Sequence, residues 1–261
     1  MDVRSLAWRT DVALRAYAGG EVEDRGDHLI VRTPANPTFY WGNFLLLAAP
    51  PSTASVEHWL AVFEDAFPEA QHRTFGVDGC RGTLDDLGGF RAAGLGVEVS
   101  TVLTTHALAA APPSVDGAVV RPLSDDRDWE QQVELSMSDP DLAGGREFAT
   151  RRARAERGLV EDGHGLWWGA FVDDVLAASL GVFVASTGLA RYQGVQTHPA
   201  YRRRGLCTAL VHAAGRHALA ELGARRLLIV ADPDDDAVRV YRRAGFRDGE
   251  TQLQAARLPR G

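Results

Sequence analysis

The sequence contains no lysine: all 28 of its basic residues are arginine. With no side-chain amine present, a lysine Schiff base is excluded. Cysteine is scarce as well. Cys80 and Cys207 stand alone, too few for a disulfide framework and without the spacing of a metal site. No apolar run approaches the ~20 residues that cross a bilayer. The opening stretch, M-D-V-R-S-L-A-W-R-T-D, alternates charge with apolar residues and lacks the apolar core of a signal peptide. A soluble, cytoplasmic chain is the expectation. Positive charge is in deficit too: the net charge is −7 and the pI about 5.6. That balance argues against a protein that wraps nucleic acid. The deficit lies mostly in residues 1–115, which hold 8 arginines against 14 acidic residues.

What is present is core material. Apolar residues make up 45% of 261, with six Trp and ten Phe, enough for one large domain or two ordinary ones. A boundary falls at Ala111-Pro112-Pro113-Ser114-Val115-Asp116-Gly117, a stiff, polar stretch that neither helix nor strand tolerates. The division expected is therefore 1–114 and 115–261. In the second part the pattern predicts a strand at 118–123 and helices over 126–137 and about 145–160. Strands follow near 166–172, 176–184 and 190–197. A long amphipathic helix starts after Gly205, and a strand at 226–231 precedes a helix over 235–244. A last strand pair is expected within 246–258.

Chemistry concentrates in Val195 to Leu210, V-Q-T-H-P-A-Y-R-R-R-G-L-C-T-A-L. An apolar strand runs into Pro199, three arginines, Gly205 and a helix. Free backbone N–H groups at a helix start beside fixed positive charge can hold a pyrophosphate. The turn alone leaves open whether the phosphates belong to coenzyme A or to a nucleotide. Gly94-Leu95-Gly96-Val97 is no dinucleotide fingerprint, and no G-x-x-x-x-G-K-[S/T] occurs.

The first part reads as a worn copy of the second. Helix 55–67 leads to Thr74-Phe75-Gly76-Val77-Asp78 and a short helix ending F90-R91-A92-A93-G94-L95. In the second part, helix 205–222 leads to Leu228–Asp232 and a short helix ending Y241-R242-R243-A244-G245-F246. Where the copy should carry R-R-R-G it has Ala49-Pro50-Pro51-Ser52-Thr53, and prolines donate no N–H.

Two motifs resemble those of the GNAT superfamily of acetyl-CoA-dependent N-acetyltransferases. Arg202-Arg203-Arg204-Gly205-Leu206-Cys207 is similar to Gln/Arg-x-x-Gly-x-Gly/Ala, with Cys207 in the last small position. Asp234-x-x-Ala237-x-x-Val240-Tyr241-x-x-x-Gly245-Phe246 resembles Asn-x-x-Ala-x-x-Leu-Tyr-x-x-x-Gly-Phe, with Asp for Asn and Val for Leu. The resemblance implies an α/β fold: tandem GNAT-like domains, each a mixed, mostly antiparallel sheet flanked by helices, the first without the phosphate motif. It implies acetyl-CoA as cosubstrate and no metal. Arg202, Arg203, Arg204, Gly205, Leu206 and Cys207 would hold the pyrophosphate, with Asp234 also placed at the cofactor. A bulge within Val195, Gln196 and Thr197 would offer a backbone N–H to the thioester carbonyl. Tyr241 would protonate the leaving thiolate, and a tyrosine with a reference pKa of about 10 holds its proton at neutral pH.

No acidic residue lies between Ala190 and Thr197, so the general base is unassigned; Glu134, Glu147, Asp232 and a water chain are candidates. Cys207 reads as a small apolar residue, His164 and His198 as turn residues, and Phe39-Tyr40-Trp41 as core packing. The expected activity is acetyl transfer to a small-molecule amine by direct attack, without nucleic acid or membrane, with a homodimer left open. The alternative is a non-catalytic acyl-CoA-binding or sensing protein.

Overall fold

A computed structural model describes residues 1–110, 112, 114–139 and 145–258. Ala111 and Pro113 of the expected connector lie outside these residues. In chain order the first elements are α1 (Leu6–Tyr17), β1 (Glu21–Asp24), β2 (His28–Arg32), β3 (Phe44–Leu47), α2 (Val56–Ala66), β4 (Arg73–Val77), α3 (Gly88–Ala92) and β5 (Gly96–Thr105). There follow β6 (Ala118–Pro122), α4 (Asp126–Met137), α5 (Gly145–Glu161), β7 (Gly165–Val172), β8 (Val175–Ser186) and β9 (Leu189–Thr197). The last are α6 (Leu206–Ala220), β10 (Arg226–Ala231), α7 (Ala237–Arg243) and β11 (Arg247–Arg257).

The chain forms two compact units. The first comprises Met1–Val102, Val230–Pro233 and the described residues from Gly249 on; the second comprises Leu103–Ile229 and Asp234–Asp248. A division at 114/115 therefore misses an exchange. The C-terminal strand, from Gly249, belongs to the first unit, and the end of β5, from Leu103, belongs to the second. The strand pair expected in 246–258 is one continuous strand. The cause is packing: residues 253–257 pair antiparallel with residues 73–77 of β4, burying Leu253 and Ala255 in the same apolar cluster as Phe75 and Val77.

Both units are mixed and mostly antiparallel, and each contains one parallel pair joined by a crossover helix. In the first unit the strand order is β1-β2-β3-β4-β11-β5, with β3 and β4 parallel across α2. Its sheet has two covered faces. Phe63, Phe75 and Phe90 pack on the α2 side, and Trp8, Phe44 and Leu46 on the α1 side. Strand alternation sends Phe75 and Val77 one way and Gly76 the other. Gly76 is obligatory there, because a Cβ would meet the Trp8 ring at 2.5 Å. The Trp8 indole donates to the Val77 carbonyl at 3.0 Å, and the buried Asp78 carboxylate accepts from the Arg4 and Ser5 N–H groups at 2.9 and 3.0 Å. Trp41 packs on Trp8 with ring centroids 6.1 Å apart, so the Phe39-Tyr40-Trp41 stretch contributes to this core.

In the second unit the order is β10-β9-β8-β7-β6, with β9 and β10 parallel across α6 and the other pairs antiparallel. Adjacent tryptophans on β7 serve opposite faces. Trp167 lies 6.3 Å from Trp129 of α4, and Trp168 lies 5.6 Å from His217 of α6. Asp125 caps α4 by accepting the Asp128 N–H at 2.9 Å. The buried Asp128 carboxylate binds the Arg121 guanidinium at 2.9 Å and the Ser124 N–H at 2.9 Å.

Candidate functional site

The expected site residues begin where β9 parts from β10. β9 and β10 are in register over three positions only, from Leu189/Arg226 to Arg191/Leu228. Beyond them β9 continues to Thr197 without a β10 partner, while β8 remains paired on its other side. Within that free stretch the β8 register slips: Gln193 faces Gly181 and Gln196 faces Ser179. Three steps of β9 thus answer two of β8. This is a β-bulge at Gly194–Val195, with Gly194 at φ 55°, the left-handed conformation that such a bulge uses. It overlaps the stretch Val195–Thr197 expected from the sequence and begins one residue earlier. The Gln196 side chain donates to the Leu135 carbonyl at 2.8 Å, tying the strand to α4.

Past Thr197, the His198 ring accepts the Ala200 N–H at 3.2 Å, and Pro199–Tyr201 makes one helical turn. Arg202 reaches back to the Thr197 carbonyl at 3.4 Å. Arg203 (φ 61°) and Gly205 (φ 82°) both adopt left-handed backbone, and between them Arg204 lays its guanidinium 5.5 Å from the Tyr201 ring. The three arginines are exposed, whereas Leu206 is buried and anchors the helix. No side chain caps α6. The N–H groups of Arg203, Arg204 and Gly205 find no acceptor among the described residues, and the Ala209 N–H is bonded to the Gly205 carbonyl. Successive free N–H groups in alternating backbone conformation form a concavity suited to anions.

The corresponding turn of the first unit is closed. The Ser52 carbonyl accepts the N–H groups of Ser55 and Val56 at 3.0 and 3.1 Å, and the Ser52 hydroxyl accepts from Ser55 at 3.2 Å. α3 packs directly on this turn, since a Cβ on Gly89 would stand 2.7 Å from the Pro51 carbonyl oxygen. The Ser55 and Val56 donors are thus committed within the turn, and Pro50 and Pro51 offer none.

Tyr241 lies on α7 and is 4% exposed. Burial drives its pKa upward, and the nearby Cys207, Asp235 and Tyr192 add to the rise. Burial, together with Asp235, pushes the Cys207 thiol up to about 12. The carboxylate whose charge bears on both is therefore Asp235. Asp234, the motif position, is an exposed residue of the preceding loop.

The base candidates Glu134, Glu147 and Asp232 are all exposed. Glu134 pairs with Arg146 at 2.5 Å and Glu147 pairs with Arg151, both as exposed surface ion pairs. Asp232 belongs to the first unit and is exposed. The structure instead draws attention to Glu156 and Arg152 of α5, bonded at 2.8 Å. Sequence reasoning missed them, although a signal existed. Both fall at helical spacing on the stripe that contains Phe148, Ala149, Ala153 and Leu159. Among the described residues no helix is long and apolar enough to cross a membrane, and no three His, Cys, Asp or Glu side chains gather as a metal site.

Comparison with known proteins relates part of this mixed α/β chain to a family and the whole of it to a fold. Residues 129–246 match the model of the acetyltransferase (GNAT) family, so the chain carries a GNAT domain there. Over the whole chain the fold resembles a conserved Staphylococcus epidermidis protein of unknown function, at 14% identity and TM-score 0.73, covering 94% of this chain and 96% of that one. It also resembles a GCN5-related N-acetyltransferase from Kribbella flavida, at 17% identity and TM-score 0.67, covering 98% and 96%. A tandem GNAT protein from the clavulanic acid biosynthesis pathway aligns at 14% identity and TM-score 0.57, covering 97% and 94%. At these identities the likeness is one of fold. No curated protein matches the sequence.

Proposed function

We propose that the chain is an N-acetyltransferase that moves an acetyl group from acetyl-CoA to the amine of a small molecule. The observation that carries this reading is the uncapped start of α6, with the free N–H groups of Arg203, Arg204 and Gly205 set among three exposed arginines. These groups fit a pyrophosphate by charge and by hydrogen-bonding type. The closed turn at Ser52 supports one such site per chain, in the second unit only.

Direct attack is favoured over an acyl-enzyme. A thiol whose pKa is pushed up to about 12 by burial is not a thiolate at neutral pH, so Cys207 is a poor nucleophile. The amine nitrogen bonds to the thioester carbon and gives up a proton to water, the carbon–sulfur bond breaks, and the sulfur takes a proton from a nearby acid. The bulge at Gly194–Val195 leaves a strand N–H free of the ladder for the developing oxyanion. Tyr241 holds its proton firmly at neutral pH and serves as the acid. Acetyl-CoA supplies the activated acetyl group.

Release of free CoA thiol from acetyl-CoA tests the reading when it is followed with and without a panel of small amines. Amine-dependent release is the expected result. Acetyl-CoA binding with no amine-dependent release across the panel would contradict catalysis and leave a binding protein.

A further inference from the structure

One face of the second unit's sheet carries polar chemistry that packing does not require. Residues directly opposite on antiparallel strands point to the same side. Trp167, Gly181 and Gln193 stand in one such row across β7, β8 and β9, and Ser179 and Gln196 stand in the next. The side is identified by Trp167, which packs on Trp129 of α4. Here Ser179 is fully buried and Gln132 of α4 is 3% exposed. Among the described residues, the Ser179 hydroxyl, the Gln132 side-chain amide oxygen and the Gln193 side-chain amide nitrogen have no hydrogen-bond partner. Each such group costs about 1–3 kcal/mol when buried unpaired, so three on one face need an explanation.

The same face holds a cation and an anion side by side. Arg152 projects from α5 to the bulge, its Nη2 lying 3.2 Å from where a Cβ on Gly194 would stand. Its Nε donates to the Glu156 carboxylate at 2.8 Å, and the Glu156 side chain is 14% exposed. A half-buried ion pair at a strand bulge can exchange its internal partner for an external pair of opposite polarity.

We propose that the acceptor is a small amine that also carries a carboxylate, an amino acid in the broad chemical sense. This rests on the acetyl-transfer reading above and names its substrate class. Arg152 takes the substrate carboxylate, with the Gln193 amide as a further donor. Glu156 and the Gln132 side-chain amide oxygen receive the ammonium before it loses its proton to solvent and attacks. Ser179 bonds whichever end lies over β8. A simple amine would satisfy Glu156 and leave Arg152 without its anion. A plain carboxylic acid would do the reverse.

The test is calorimetric titration of the CoA-loaded protein with the standard L-amino acids, β-alanine and 4-aminobutanoate, each beside the amine that lacks its carboxylate. At least one amino carboxylate is expected to bind about tenfold to a hundredfold more tightly than its decarboxylated partner, the range for one charge-assisted contact. Arg152→Gln should abolish that preference. Arg154→Gln, an equal charge change at an exposed position of the same helix, should keep it. Thermal melts confirm that both variants fold. No binding by any amino carboxylate, equal or tighter binding of the decarboxylated amines, or a preference that survives Arg152→Gln would overturn the proposal. Titration of the same preparations with acetyl-CoA alone reports separately on the acetyl-transfer reading.

Discussion

The hydroxyl of Tyr192 donates to the backbone carbonyl of Val211 at 2.7 Å, joining the middle of β9 to the side of α6. The approach depends on Gly215, because a Cβ there would stand 2.2 Å from the tyrosine oxygen. This contact holds the strand that bears the bulge against the helix whose start bears the arginines.

Gly215→Ala is therefore expected to destabilise the protein, although alanine favours helix over glycine by about 1 kcal/mol. Overpacking of about 1–3 kcal/mol, with loss of the tyrosine bond, outweighs that gain. In a Tyr192→Phe background the oxygen is gone, and the same substitution should cost less, although the Leu108 and Leu227 methyl groups, 2.9 and 3.0 Å from the same point, must still shift. Chemical denaturation of the two single variants and the double variant measures the coupling.

Tyr241→Phe should leave acetyl-CoA binding within about twofold while lowering turnover by about 100-fold or more, the scale of a lost general acid. Binding by calorimetry and thiol release by absorbance check the two halves separately. A variant that keeps full turnover would remove Tyr241 from the chemistry.

Gly205→Ala tests the backbone of the turn. At φ 82° an alanine is strained by about 1–2 kcal/mol, and its nearest neighbour, Val115, would stand at an ordinary 3.4 Å. The expected outcome is weaker acetyl-CoA binding with a small loss of melting temperature. Unchanged affinity would show that this backbone conformation is not used for binding.

Asp128 gives the fold a pH dependence. The Arg121 guanidinium, with the Ser124 N–H and hydroxyl, lowers its carboxyl to about 2 despite burial, from an ordinary value near 3.8. A depressed carboxylate contributes stability that is complete above the unfolded value and is lost as pH falls from about 4 through about 2. Asp128→Asn should cost about 2 kcal/mol at pH 7, with the difference from the parent shrinking across that interval. A constant difference from pH 7 to pH 2 would contradict the assignment.

Much of this was legible in the chain, and the parts that were not have physical causes. The turn from Pro199 to Gly205 could be read because its residues are consecutive and their types follow from backbone chemistry: proline, arginines, then a glycine that turns out left-handed. The position of the strand bulge came within one residue. The exchange of C-terminal strands could not be read, since Leu253 and Ala255 alternate equally well against either sheet, and only packing with Phe75 and Val77 decides. The motif spacing singles out Asp234, whereas its neighbour Asp235, which bears on Tyr241, depends on how the turn before α7 sets the two carboxylates. Arg152 and Glu156 were overlooked because charges at an i, i+4 spacing usually mark a solvated face, and the side that meets the sheet depends on how α5 packs.

The most direct measurement is calorimetric titration of the whole chain with acetyl-CoA, repeated on Gly205→Glu, which sets a carboxylate among the free N–H groups of the turn. One molecule bound per chain, abolished by the substitution, is the expected result. Two molecules bound per chain would contradict the closure of the Ser52 turn, and no binding would contradict the function itself.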